Sequence, residues 1–414
     1  MGGVLSSVDP EKVQAQPGFW VAPLLTLTTF ASMLNAMALG PFLPVIAVDL
    51  DVSVALLGQI PALTMFLAAF LGFIVGPIAD QFGHRRALLI GLGIAVVSSI
   101  GIGLAPGYTL LLIAALIGAG SRAIAIPIAV VIAGTLYQGD QQRRAISWVA
   151  AGMTGAAIVG IPMMTTIAEL YSWRIAFLAL GSLSAVLLLV LLRSIDVDPL
   201  REDAHISFRG IIEAYRPLVL HRPTAALVGS TLVGHAGIWM MATYVGAFYS
   251  ARFGYSIQQI GWVYMILGTM LLTGSLLVGG RLGALPLRPL LVVNRILIGL
   301  MIAGLFMVPV TAIAGIGLIA VLGISIGTVG ASTMVLLTKE SPAGRATTMT
   351  INVSAMSLGV GLGSALGGLF LAVAGFWLLG LFALLLSCIS AGLIWWHREE
   401  GAGALPGHAQ EVPV

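Results

Sequence analysis

The chain has 414 residues, of which 59% are hydrophobic and only 8% charged, and its formal net charge is +3. A soluble domain of this length has no interior large enough for so much apolar surface, which excludes a soluble enzyme or binding module. The single cysteine, Cys388, forms no internal disulfide and says nothing about redox compartment.

The first 19 residues are polar and carry both charge signs. They lack the basic start and apolar centre of a signal peptide, so the first span is expected to be retained. The opening "MGGVLS" fits a myristoylation pattern, but in a chain anchored by many spans it reads as a chance match. Apolar runs of about 20 residues or more then recur, each long enough to cross a ~30 Å hydrocarbon core as a helix. About twelve are counted, near 20–48, 54–77, 87–106, 108–134, 145–168, 174–193, 222–250, 257–280, 289–309, 311–337, 346–373 and 376–396. Short connections such as "APGYT" (105–109) make neighbouring helices antiparallel hairpins.

Orientation follows from the bases. Arg85, Arg86, Arg143, Arg144, Arg281, Arg288, Lys339 and Arg345 fall in loops on one side, with both termini and the central linker. The other side offers only Arg174 and Arg252. By the positive-inside rule the basic side is cytoplasmic, so both termini are expected inside a cytoplasmic (inner) membrane.

The most charged stretch is Ser194 to His221. There Phe208, Ile211, Ile212, Tyr215 and Leu218 follow helical spacing, as in an amphipathic helix lying on the membrane surface. Its plain reading is a connector between two halves. A shift of 201 residues places Arg144-Ala145 on Arg345-Ala346 and Val159-Gly160 on Val360-Gly361. A shift of 203 places "GPIADQFGHRRALL" (76–89) against "GGRLGALPLRPLL" (279–291), with Arg85 over Arg288. An internal duplication is the economical explanation, and in membrane proteins it points to a transporter with its site between the repeats. The expected architecture is an all-α membrane protein of two pseudo-symmetric six-helix bundles. They cover residues 1–193 and 222–414, the latter with a short cytoplasmic tail, joined by the linker 194–221.

"GPIADQFGHRRALL" resembles the loop between spans two and three of the major facilitator superfamily, commonly G-x-x-x-D-R-x-G-R-R. Gly76, Asp80, Gly83, Arg85 and Arg86 carry the match, while Gln81 stands where a base is common. Twelve spans, two halves, both ends inside and a charged linker extend the resemblance over the whole chain. Gly76 permits close helix approach and Gly83 suits a turn with positive φ. Ser341 is expected to cap span eleven, with Pro342 in its first turn, and a carboxylate near that helix end is stabilised by the dipole. The resemblance implies that Asp80 latches the cytoplasmic gate near Ser341 and Arg345 when the site faces outward. The alternative is an anchor that never changes partner.

Arg122 lies 14 residues after Tyr108, ~21 Å into the bilayer at ~1.5 Å per residue. An unpaired cation at that depth costs several kcal/mol, so it should face a cavity or a partner, or be satisfied by helix carbonyls. The resemblance associates an arginine at this point with substrate binding or proton coupling. His235 lies 13 residues after Arg222, at a similar ~20 Å. The resembled fold lines its cavity with spans one, four, seven and ten, so Arg122 and His235 could face one another. Histidine titrates near physiological pH, although a lone helical histidine is often only hydrogen-bonded. Arg295 is seven residues past Arg288, ~10 Å deep, and its leading reading is a side chain that snorkels to the interface. Asn35 reads equally as a cavity hydrogen-bonding group or as helix packing.

The 16 acids lie in loops, linker, tails or span ends, with Asp49, Asp51 and Glu169 at the outer ends. No carboxylate falls at mid-membrane, so the cavity is expected to be neutral to positive and to favour neutral or anionic substrates. Trp239, Met240, Met241 and Tyr244 could form an adaptable apolar wall, though such a stripe is more often packing. "GAAIVGIPMM" (155–164) resembles the span-five motif of antiporters, with Ile161 separating Gly160 from Pro162. Pro162 is expected to bend a helix that Gly155 and Gly160 pack closely.

The reading is a secondary transporter working by alternating access, resembling the 12-span drug:proton antiporters and exporting a small neutral or anionic molecule with proton coupling. Uptake of an organic anion by the same machinery is the alternative. An intramembrane enzyme has no support: there are no paired carboxylates, no nucleophile motif and no metal-ligand cluster in the spans. The expected partners are a small-molecule substrate, protons and membrane lipid, without cofactor, metal or nucleic acid. A monomer is the expected unit.

Overall fold

The computed structural model describes residues 20–194, 217, 218, 220–340 and 345–396. They are helical almost throughout, because in hydrocarbon an isolated segment satisfies its backbone donors and acceptors only as a helix. Among the described residues, eleven helices are long and apolar enough to cross a membrane. A bent pair, α1 (Val21–Met37) and α2 (Leu39–Asp49), meeting at 45°, makes a twelfth span. The bend has a local cause: Pro41 has no N–H for the carbonyl of Met37, and Pro44 none for that of Gly40.

The chain continues through α3 (Val54–Leu57), α4 (Gln59–Phe82), α5 (His84–Gly103), α6 (Tyr108–Leu136) and α7 (Gly139–Gly155). A π turn (Ala156–Gly160) leads into α8 (Ile161–Leu170), and α9 (Trp173–Ser194) follows. The later helices are α10 (Arg222–Phe253), α11 (Ile257–Gly279), α12 (Leu287–Met307), α13 (Ala312–Glu340), α14 (Arg345–Ala374) and α15 (Phe376–Trp396). Polar caps mark starts where the chain turns: Ser53 Oγ accepts from the Leu56 N–H at 3.1 Å, and Ser256 with Gln259 closes a capping box on α11.

Within the earlier helices α5 packs on α6 and α9, and α1 on α6 and α7. Within the later ones α11 packs on α13, α12 on α13 and α15, and α10 on α14 and α15. Large apolar side chains such as Phe70, Ile90, Val97, Leu276 and Leu369 stay on the surface, as a hydrocarbon solvent requires.

The two groups of helices meet at the end away from the basic loops. There α10 packs on α2, α11 on α8, and α14 on α3 and α4. Gln59 Nε2 donates to the Ala365 carbonyl at 3.1 Å. The Gln258 N–H donates to Glu169 Oε2 at 3.3 Å, and its side-chain amide to Thr166 Oγ1 at 3.4 Å. Thr165 fills the place where a side chain on Gly261 would stand. This end is sealed. Asp49 closes α2 onto α9 as well: it accepts from Trp173 Nε1 at 3.3 Å and ion-pairs with Arg174, whose guanidinium lies 4.4 Å over the Trp173 ring.

The amphipathic segment expected through Phe208, Ile211, Ile212 and Tyr215 lies outside the described residues, as do Ser341 and Pro342.

Candidate functional site

Arg122 sits midway along α6, a helix of 29 residues. It lines a narrow space with Asn35, Ala36 and Leu39 at the α1–α2 bend, Thr64 and Met65 of α4, Ile102 of α5, and Gly118. The room left for the centre of a water is about 10 Å³, enough for one. The Arg122 Nη1 donates to Met65 Sδ at 2.8 Å. A thioether is a weak acceptor and brings no charge. None of the ion pairs among the described residues involves Arg122. The site is therefore cationic.

Asn35 is buried, and its Nδ2 donates to Ser99 Oγ at 2.8 Å and Ser98 Oγ at 3.4 Å. That bond ties α1 to α5. Its Oδ1 lies over Gly118, where an added Cβ would stand 2.7 Å from it. Ser121 Oγ donates to Ser32 Oγ at 3.3 Å on the neighbouring turn. Asn35 therefore packs α1 against α5 and lines the same narrow space as Arg122.

Arg122 and His235 do not face one another. The Arg122 space is lined entirely by α1, α2, α4, α5 and α6. His235 stands against Gly359 of α14, and its Nδ1 lies 2.8 Å from the Thr231 carbonyl on its own helix. A ring nitrogen facing a carbonyl carries the proton, so Nε2 of the neutral ring is the free acceptor. Equal depth along two helices is not proximity, because each side chain also has a direction around its axis.

Trp239 is half-buried, while Met240 and Tyr244 are fully buried. Both pack against Gly367 of α14, and Tyr244 donates its hydroxyl to the Ser364 carbonyl at 2.8 Å while its ring covers Gly58. Tyr244 forms part of the seal between the groups, and Met240 packs within the later helices. Arg295 differs most from expectation. It is 1% exposed and does not snorkel, because its guanidinium lies against Gly234 of α10, inside the helix packing.

Gly83 adopts φ 97°, a conformation natural to glycine, at the junction of α4 and α5. Arg85 Nη2 donates to the Leu192 carbonyl at 2.9 Å, tying α5 to the end of α9, and Arg86 is exposed. Gly76 lies within α4, while the side chains of Asp80 and Arg345 lie outside those described. Pro162 follows the π turn, and the span runs unbroken from Gly139 to Leu170, so the irregularity is a widened turn. Gly160 lets the Leu34 and Phe30 side chains pack onto it; Gly155 faces Phe30 more loosely.

Sequence reasoning missed Met65 and Thr64 beside Arg122, Ser98 and Ser99 on Asn35, and Gln59, Thr165 and Gly261 in the seal. A pair of serines in an apolar run is a signal for helix contact, but it does not name the partner.

The profile described as Major Facilitator Superfamily matches residues 25–350. The chain belongs to that superfamily. It is a multi-pass membrane protein and a secondary transporter of small molecules, not an enzyme. Similar proteins include the uncharacterized MFS-type transporter YceJ of Bacillus subtilis, 24% identical over 81% of this chain and 85% of that one. The inner membrane transport protein YdhP of Escherichia coli is 26% identical over 54% of this chain and 56% of that one. Among solved structures, a peptide transporter POT has a TM-score of 0.74 at 15% identity, covering 94% of this chain and 98% of that one. The nucleoside transporter NupG has a TM-score of 0.72 at 16% identity, covering 91% and 98%. At these identities the likeness is one of fold.

Proposed function

We propose that this major facilitator exports a small neutral or anionic organic molecule in exchange for protons. Arg122 carries the reading: a half-buried cation midway along α6, beside Asn35 and Thr64, with the Met65 sulfur as its acceptor. In a low-dielectric site such a charge attracts an anion or a strong hydrogen-bond acceptor and repels a lipophilic cation. Asp49 and Glu169 are already engaged, with Arg174 and with the Gln258 N–H, and do not offer a carboxylate to a cationic substrate.

The basic loops lie on the cytoplasmic side by the positive-inside rule, with both termini there. The sealed end then faces outward, and an exporter loads its site from the cytoplasm. Residues 1–193 and 222–414 rock against each other around the midplane. His235, with its Nε2 free to accept, carries the coupling proton, and Arg122 binds substrate. Asp80 latches the cytoplasmic side in the opposite state. The degenerate Gly160-Ile161-Pro162 motif supports the antiporter assignment, and the protein works as a monomer.

Thermal stabilisation of the purified protein by panels of organic anions, neutral compounds and lipophilic cations tests the substrate class. Stabilisation by anions or neutral compounds that is lost in Arg122→Met supports it, whereas stabilisation by cations alone overturns it. Proteoliposomes with an imposed pH gradient test direction: accumulation driven toward the acidic compartment is antiport, and accumulation away from it is the organic-anion uptake alternative. Asp80→Asn should change the distance distribution across the cytoplasmic side; an unchanged distribution removes the latch.

A further inference from the structure

Arg295 is the largest fully buried side chain that the transport reading leaves unused. It enters the seam between α10, α12 and α15, and its Nε and Nη1 are buried without hydrogen-bond partners. A guanidinium carries five donors. Desolvated at membrane depth, it needs acceptors or a counter-charge. No ion pair among the described residues involves it.

The seam is shaped around this group. Nη1 occupies the place where any side chain on Gly234 would stand, so the position admits the guanidinium only because residue 234 is a glycine. An added Cβ there would also lie 2.9 Å from Ser390 Oγ, which puts that hydroxyl beside the guanidinium. Ser390 is occupied by α10: its Oγ donates to the Ser230 carbonyl at 2.9 Å. One turn along α15, Ser387 Oγ is buried without a partner, and its Cβ packs on Gly299, one turn past Arg295. Arg295 and Ser387 thus leave unpartnered buried donors in one seam, beside the Ser390 hydroxyl and within electrostatic reach of His235 on α10.

We propose that this seam binds one small inorganic anion, of halide or nitrate size, held by Arg295 and Ser387. The close packing at Gly234 and Gly299 leaves no room for a bulky organic acid, and a guanidinium that carries only donors repels a cation. The anion neutralises the C-terminal helices from within, independently of the substrate site at Arg122.

The test uses the purified full chain in chloride, bromide or nitrate against gluconate, at fixed sodium and ionic strength. Small anions should raise Tm by a saturable increment that gluconate does not give, as expected for a ligand that binds only the folded state. Arg295→Met should abolish the increment. Arg122→Met should retain it, which separates this proposal from the substrate reading. Ser387→Ala should raise the half-saturating anion concentration by about tenfold, the loss of one hydrogen bond to a charged group. A bromide anomalous-scattering peak beside Arg295 in crystals of the unaltered protein supports the proposal without any variant. Equal Tm in gluconate and chloride, an increment that survives Arg295→Met, or bromide found only at Arg122 would each overturn it.

Discussion

The side-chain amide of Gln59 donates to the carbonyl of Ala365 across 3.1 Å, joining α4 to α14 between the two groups of helices. Together with Thr165 seated on Gly261, it makes the seal a set of close contacts that one added side chain can pry apart.

Gly261→Val should therefore open that end. Overpacking a tight contact costs about 1–3 kcal/mol, enough to reverse a two-state balance of similar size. Spin labels at the exposed positions Tyr171 and Arg252 should report longer distances in the variant, and Thr165→Ala should restore the short ones. A distribution that does not change would mean the backbone absorbs the methyl groups locally.

Tyr244→Phe keeps the ring against Gly58 and Gly367 but removes the hydroxyl bond to the Ser364 carbonyl. The expected loss is about 0.5–1.5 kcal/mol in the sealed conformation. The same label pair should show a smaller shift than Gly261→Val, with Tm lowered in parallel.

Arg122→Met should lower transport by about tenfold or more, as for one lost hydrogen bond to a charged group. It should leave Tm unchanged or raised, because it removes a desolvated cation. A structural arginine satisfied by helix carbonyls would behave in the opposite way, with stability falling and transport following it. Transport assays and thermal melts on the same preparation separate the two.

Asp49→Asn removes the ion pair to Arg174, whose partners are 34% and 40% exposed. At that exposure the loss should stay within about 1 kcal/mol. Transport should fall no more than stability does. Transport lost at unchanged Tm would make Asp49 a substrate carboxylate and reverse the charge assignment of the site.

Composition and hydropathy determined the membrane class, the span count and the antiparallel order, because burial in hydrocarbon is a one-dimensional property that each segment declares alone. Spacing also singled out Arg122 as a mid-membrane cation and Gly83 as a turn with positive φ, both local facts. Asn35 was legible as a polar residue in span one, but its bonds to Ser98 and Ser99 were not. Helical rise gives depth and leaves azimuth open, and only packing sets azimuth. That is why Arg122 and His235 looked like neighbours and lie apart, and why Arg295, at a depth from which a side chain can snorkel, turns inward onto Gly234. The partnering of Gly261 with Thr165 is of the same kind: the sequence supplied the glycine, and only the tertiary structure decided which side chain would occupy its place.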